Sequence, residues 1–325
     1  MRRIQQLISR LFELLRSRPR SGKLFALAIA VVLTFQACGS GDTATVTTPE
    51  RASNGAVEQA ADGSREPTME NLVKEHQGDV PEPTAIALAE PAAPVVGEEV
   101  VYATVEGASV SGYLAQPEAA VGEALPAVIA IHEWWGLNDN IRAMTRRLAG
   151  EGYTVLALDL YGGEVASDPD AARELMRSVM DNPGPAQANI SQAAQFLTNE
   201  YGAPEIGSIG WCFGGNWSLR TGLLLPDLDA MAIYYGQLIL APEALDGLDM
   251  PVIGFFGEDD SSIPVEDVEN FEEILTSLNK TVEINLYPGV GHAFANPSGQ
   301  NYDAQAAEDA WEKTTAFFAE YLQAG

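Results

Sequence analysis

Short apolar runs separated by helical patterns constrain this chain's fold more than any other feature. They occupy residues 127–131, 154–158, 206–211, 231–235, 252–256 and 282–287. Near-continuous apolarity, rather than alternation, suits strands covered on both faces, as in a parallel sheet. Between them, Ile141, Met144 and Leu148 share one helical face, as do Val268, Phe271, Leu275 and Leu278 behind Pro264. A last helix carries Ala307, Ala310, Trp311, Thr314, Phe317, Phe318 and Tyr321 at spacings of three and four. Runs at 100–105 and 110–114, joined across Glu106-Gly107-Ala108-Ser109, predict a hairpin ahead of this pattern. The expectation is one α/β domain over residues 98–325. Its sheet is mostly parallel and doubly wound, with an N-terminal β-hairpin and helices on both faces.

The N-terminus reads differently. Residues 1–37 hold seven cations and one acid, Glu13, and end in a mostly apolar stretch at 24–35. That stretch is shorter than the roughly 20 residues a membrane span needs, and suits the core of a secretory signal. Cys38 follows Ala37 and precedes Gly39-Ser40-Gly41, which resembles the lipobox of bacterial lipoproteins, with Phe35 where leucine is usual. The resemblance implies a signal peptide over 1–37, lipidation of Cys38, and an extracytoplasmic protein, periplasmic or at the cell surface. Its membrane contact would run only through that anchor. An ordinary cleaved signal that contains a cysteine, or an uncleaved anchor, gives the same pattern. Residues 38–97 are rich in Thr, Ala, Glu and Pro with few large apolar side chains, and predict a disordered linker, with room for a short helix near 69–76. His76 falls in it, far in sequence from other ligand types, and reads as a solvated linker residue.

Charge narrows the partners. The 325 residues carry 46 acids against 18 Lys and Arg, a net −28, which argues against nucleic acid. Counting along the sequence leaves 35 acids and eight cations on residues 98–325, so the acid belongs to the folded domain and predicts a salt-rich habitat. Two cysteines build neither a disulfide framework nor a four-thiolate zinc site. No cofactor or metal is expected, and the domain reads as a monomer acting on a small molecule.

The chemistry concentrates at strand ends. The run 206–211 leads into Gly210-Trp211-Cys212-Phe213-Gly214-Gly215, the nucleophile elbow G-x-S-x-G with cysteine in place of serine. Such a turn leaves no room for side chains two residues either side, and sets the sulfur at a helix N-terminus that favours thiolate. A buried structural cysteine in a Gly-rich turn is the alternative. An acidic segment, Glu258-Asp259-Asp260, follows the run at 252–256, and Gly291-His292-Ala293-Phe294 follows the run at 282–287. Nucleophile, acid and histidine thus appear in the order an α/β-hydrolase uses.

With these motifs the sequence resembles the dienelactone hydrolase family over roughly residues 100–322: the Gly-x-Cys-Phe-Gly-Gly elbow, the Gly-x-x-Asp-x-x-x-Pro acid loop and the Gly-His-x-Phe histidine loop. The resemblance implies an α/β-hydrolase fold and a triad of Cys212, His292 and Asp260, the acid four residues before Pro264. It further implies that Glu133, in His132-Glu133-Trp134-Trp135-Gly136, holds the resting thiol and takes its proton. Backbone N–H groups of Phe213 and Trp134 would form the oxyanion hole. Trp135, Phe294 and Asn296 are expected at the substrate pocket, with the core as the alternative place for aromatics beside strand ends, whereas His132 has no second ligand at metal spacing and reads as structural. Family members carry a substrate-binding arginine where this chain has Asn296, and Arg173 or Arg177 could supply another anchor. An ester or lactone less anionic than dienelactone is therefore the expected substrate, cleaved through a thioester. The rival from another class is a binding lipoprotein that keeps the fold without turnover.

Overall fold

The computed structural model describes residues 69–81 and 89–323. The predicted signal peptide, Cys38 and most of the predicted linker lie outside the described residues. No helix among the described residues is long and apolar enough to cross a membrane.

Among these residues eight strands form one sheet, ordered β1-β2-β4-β3-β5-β6-β7-β8. β1 (Val95–Val105) and β2 (Ala108–Pro117) are the antiparallel hairpin, and β2 joins β4 (Thr154–Leu158) antiparallel. β3 (Ala127–Ile131), β4, β5 (Ile206–Trp211), β6 (Ala230–Tyr234), β7 (Val252–Gly257) and β8 (Val282–Tyr287) run parallel. Strands β3, β4, β5 and β8 coincide with their apolar runs. β1 starts earlier than its run: Val95 pairs with Pro117 and Glu98 with Leu114, so the ladder continues through residues that are mostly polar or exposed.

The helices are α2 (Asp139–Ala149), α3 (Pro169–Asp181), α4 (Gly184–Tyr201), α5 (Phe213–Leu224), the short α6 (Pro242–Leu245), α7 (Val265–Ser277) and α8 (Ala304–Leu322). Side-chain caps start three of them: Asn138, Asp168 and Asp303 accept from Ile141, Ala171 and Ala306 N–H. The two-residue period of β6 separates the layers. Met231 and Ile233 pack with Leu219 of α5 and Phe271 of α7, whereas Tyr234 points the other way and donates its hydroxyl to the Ala310 carbonyl of α8 at 3.0 Å. All six parallel strands deliver their C-terminal ends to one edge, where ligands bind in open α/β sheets.

Residues 69–81 correct the linker expectation for that stretch. Met69–Glu75 is a helix, α1, and it sits on the body of the domain. Asn71 donates to the Ser261 carbonyl (3.1 Å), and Ser261 N–H to Glu75 (3.1 Å). Asn301 donates to the Glu75 carbonyl (3.0 Å), Gln300 N–H to Asp79 (3.0 Å) and Asn138 to the Pro81 carbonyl (3.1 Å). Leu72 is buried, yet polar contacts spaced far apart in sequence hold most of the segment. Composition, which registers apolar mass, does not reveal such a mode of docking.

Candidate active site

Cys212 is the single residue between β5 and α5, with φ 54° and ψ −115°. A non-glycine residue keeps such a backbone only where its surroundings impose it. Here Cys212 N–H donates to the Tyr234 carbonyl (3.0 Å), and its own carbonyl accepts from Gly215 (2.9 Å) and Asn216 (3.2 Å). A Cβ on Gly210 would strike the Gly214 carbonyl, and one on Gly214 the Ile131 carbonyl. The elbow therefore accepts only glycine at both places, as its tight turn requires. Tyr235 (φ 37°) after β6 and Ala293 (φ 60°) beside His292 are strained in the same sense.

His292 and Asp260 meet at the neighbouring strand ends. His292 Nδ1 lies 2.7 Å from Asp260 Oδ2, while Oδ1 accepts from the backbone N–H of Ser262 (2.8 Å) and Ile263 (3.0 Å). The carboxylate thus fixes Nδ1 as a protonated nitrogen and turns the buried Nε2 inward, where among the described residues it has no hydrogen bond of full geometry and faces the Cys212 sulfur. Glu258 and Asp259, the other acids of that segment, are exposed. Cys212 and His292 line one cavity of about 440 Å³, together with Phe213, Tyr235, Asn216, Leu72, Arg177 and others.

His76 occupies a place opposite to its sequence expectation. It is fully buried, with Nε2 3.6 Å from Cys212 Sγ and Nδ1 2.7 Å from Asp79 Oδ2. Its ring stacks on Trp134 (centroids 4.5 Å apart) and meets the His292 ring edge-on at 5.2 Å. The donor atoms of His76, Cys212 and His292 all lie within 4.8 Å of one another. Burial pushes the Cys212 thiol up, but positive charge on His292 and His76 pulls it down to about 6. Burial pushes His76 down, and its bonds to Asp79 and Cys212 more than offset this, leaving it at about 9. His292 is likewise held well above its ordinary value by Asp260 and the thiolate, against burial.

Glu133, also buried, accepts from Asn296 Nδ2 at 2.7 Å and from the Tyr235 hydroxyl at 3.5 Å. Burial and the nearby Cys212 charge raise it to about 8. His76 makes a hydrogen bond to the sulfur, whereas the resemblance implies a resting contact from Glu133. His132 is satisfied by backbone alone, with Nδ1 on the Glu133 carbonyl (2.6 Å) and Nε2 accepting from Leu160 N–H (3.2 Å).

Trp135, Phe294 and Asn296, expected at the substrate pocket, are all buried and none lines the cavity over Cys212, although Asn296 borders a second small cavity with Glu133 and Tyr235. Phe294 packs between Tyr235 and Tyr287, Trp135 against Trp134, and Asn296 is committed to Glu133. Arg177 does line the cavity, while Arg173 pairs with Asp170 at the surface. Sequence reasoning missed His76, Asp79 and Tyr235. The one local signal was His76-x-x-Asp79, a spacing that lets a turn bring carboxylate to imidazole.

The model of the dienelactone hydrolase family matches residues 110–322. The chain belongs to the dienelactone hydrolase family. Protein usf of Aquifex pyrophilus is 34% identical over 224 residues, covering 66% of this chain and 95% of that one. A Synechocystis sp. protein provisionally named carboxymethylenebutenolidase is 37% identical over 236 residues, covering 66% and 93%. A crystal structure from Klebsiella pneumoniae, provisionally assigned as a dienelactone hydrolase, superposes with a TM-score of 0.63 at 29% identity, covering 70% of this chain and 99% of its own. The α/β-hydrolase fold is shared with these dienelactone hydrolases. The span the family model matches begins at residue 110, downstream of His76 and its segment.

Proposed function

We propose that this dienelactone hydrolase-family protein cleaves an ester or lactone through a thioester on Cys212. The observation that carries this reading is the strained elbow, which presents a buried Cys212 beside the His292–Asp260 pair at the floor of a cavity. The Cys212 thiolate attacks the carbonyl carbon, and the electron pair of the C=O bond moves to oxygen. Backbone N–H groups of Phe213 and Trp134 are the donors for that oxyanion. Collapse restores the carbonyl and expels an alkoxide, which takes a proton from an imidazolium beside the sulfur, in the triad scheme His292. Water, deprotonated at His292 Nε2, then attacks the thioester and releases the acid and the thiolate. Asp260 holds the imidazole in register throughout.

Arg177 and Asp181 both line the cavity, so its wall carries either charge and supports a neutral or weakly anionic substrate. The full-length chain is expected to hydrolyse short p-nitrophenyl esters and lactones, with Cys212→Ala and His292→Ala inactive; equal slow rates for all three would discard the reading. We further propose that Cys38 carries a lipid anchor on an extracytoplasmic protein. Labelled fatty acid should enter the wild type and not Cys38→Ala.

A further inference from the structure

We infer that His76, carried on the turn that follows α1 and outside the family-matched span, is a catalytic residue: it holds the Cys212 thiolate and protonates the leaving alkoxide. The inference rests on the hydrolase reading above and reassigns one of its proton transfers.

A cysteine nucleophile needs one imidazole. This one has two, each oriented by its own aspartate: His292 by Asp260 and His76 by Asp79, both at 2.7 Å. The side chains of both pairs are at most 2% exposed, so water does not compete for them. His76 Nε2 sits 3.6 Å from Sγ with hydrogen-bond geometry, and a ring nitrogen of His292 lies within 4.8 Å of the same sulfur. The two rings stand nearly perpendicular, at 85°, and so reach the sulfur from different directions. His76 stacks on the indole of Trp134, the residue whose backbone is the implied oxyanion donor. The helix that precedes His76 is already tied down by Asn71 and Glu75, so docking does not depend on a buried imidazole with a carboxylate behind it. The charged or titratable groups facing His76 are Asp79 from its own turn, Glu133 beyond β3, Cys212 at the elbow and His292 beyond β8. Asp79 and the thiolate keep its proton on; Cys212 is its acceptor until the leaving group departs.

The step balances. The thiolate forms the C–S bond while the C–O bond to the leaving group breaks. The alkoxide takes the Nε2 proton of His76, which stays neutral with its Nδ1–H on Asp79. His292 then passes its Nε2 proton through solvent to the neutral His76 and, now neutral itself, accepts the proton of the hydrolytic water as hydroxide attacks the thioester and the thiolate is expelled, so both imidazoliums are restored. Alkyl esters need this donor because an alkoxide is a far worse leaving group than a thiolate, whereas p-nitrophenolate leaves unaided.

The test uses the full-length chain with His76→Gln, His76→Gly and Asp79→Asn. Two readouts separate chemistry from structure: the pH midpoint of Cys212 alkylation by iodoacetamide, and the ratio of kcat/KM on an ethyl ester to that on its p-nitrophenyl counterpart. Expected are a midpoint raised by about one pH unit and a ratio lowered by about 10²-fold, with ethyl-ester turnover by His76→Gly partly restored by added imidazole. Asp79→Asn keeps the imidazole and is expected to lower the ratio in the same direction. An unmoved midpoint, or equal losses on both esters, overturns the inference while leaving the hydrolase reading intact. A wild type that cleaves neither ester overturns both.

Discussion

Asn296 donates its side-chain amide to Glu133 at 2.7 Å, and its own oxygen accepts from Asn140 Nδ2 at 2.8 Å and from Ser298 N–H at 3.0 Å. The residue standing where family members carry a substrate-binding arginine is thus a buried bracket behind the site. Asn296→Ala would strand a buried carboxyl and an amide. Each lost partner costs about 1–3 kcal/mol, so a drop in melting temperature should exceed any rise in KM; thermal melts beside kinetics check this.

Asp260→Asn should retain the fold, because the amide oxygen still accepts from Ser262 and Ile263 N–H. It loses the carboxylate that fixes the His292 tautomer. Ester turnover is expected to fall by about 10³–10⁴-fold, with an unchanged circular dichroism spectrum.

The Cys212 thiol at about 6 and the His76 imidazolium at about 9 set a pH window. Below about 6 the sulfur is protonated and alkylation by iodoacetamide slows. Above about 9 His76 loses its proton, and with it the charge that supports the thiolate. Alkyl-ester hydrolysis should therefore be bell-shaped between these limits, and a profile still rising at pH 10 would contradict it. For stability the sign is the same: a folded-state pKa above the usual 6.5 contributes fully below 6.5 and is lost as pH rises through about 9.

Gly214→Ala tests the elbow's packing. The new methyl would collide with the Ile131 carbonyl of the central strand β3, which has nowhere to move. A loss of about 3 kcal/mol, or failure to fold, is expected; chemical denaturation measures it. A change under 1 kcal/mol would mean the turn relaxes.

The surface excess of acid leads to a proposal about solvent. With 35 acids against eight cations on residues 98–325, self-repulsion opposes the compact state and salt screens it. Melting temperature should rise between dilute buffer and molar KCl.

The sheet and its chemical edge were legible because both depend on local pattern. The runs at 127–131 and 206–211 are almost wholly buried, their single polar side chain Ser208 being paired with Ser218, and the glycines around Cys212 answer to steric contacts that allow nothing larger. Asp260 could be distinguished from Asp259 only by motif spacing, and its geometry with His292 agrees with that register. The residues around the site followed no such pattern. Trp135 and Phe294 stand beside chemical residues in sequence yet turn into the core, since adjacency on a chain leaving a strand says little about direction. His76 was hidden for the converse reason: its partners Cys212, Trp134 and His292 come from three distant strand ends, and its own neighbourhood is polar.

The seating of residues 69–81 over Cys212 has one more consequence. That segment belongs to the same polypeptide as the sulfur it reaches, so its encounter is intramolecular, at an effective concentration on the order of millimolar for a short connection. Dilution leaves such an encounter unchanged. A single peptide-bond cut between residues 81 and 89 would convert it into an ordinary bimolecular association, and at working enzyme concentrations the imidazole would leave with its strand of chain.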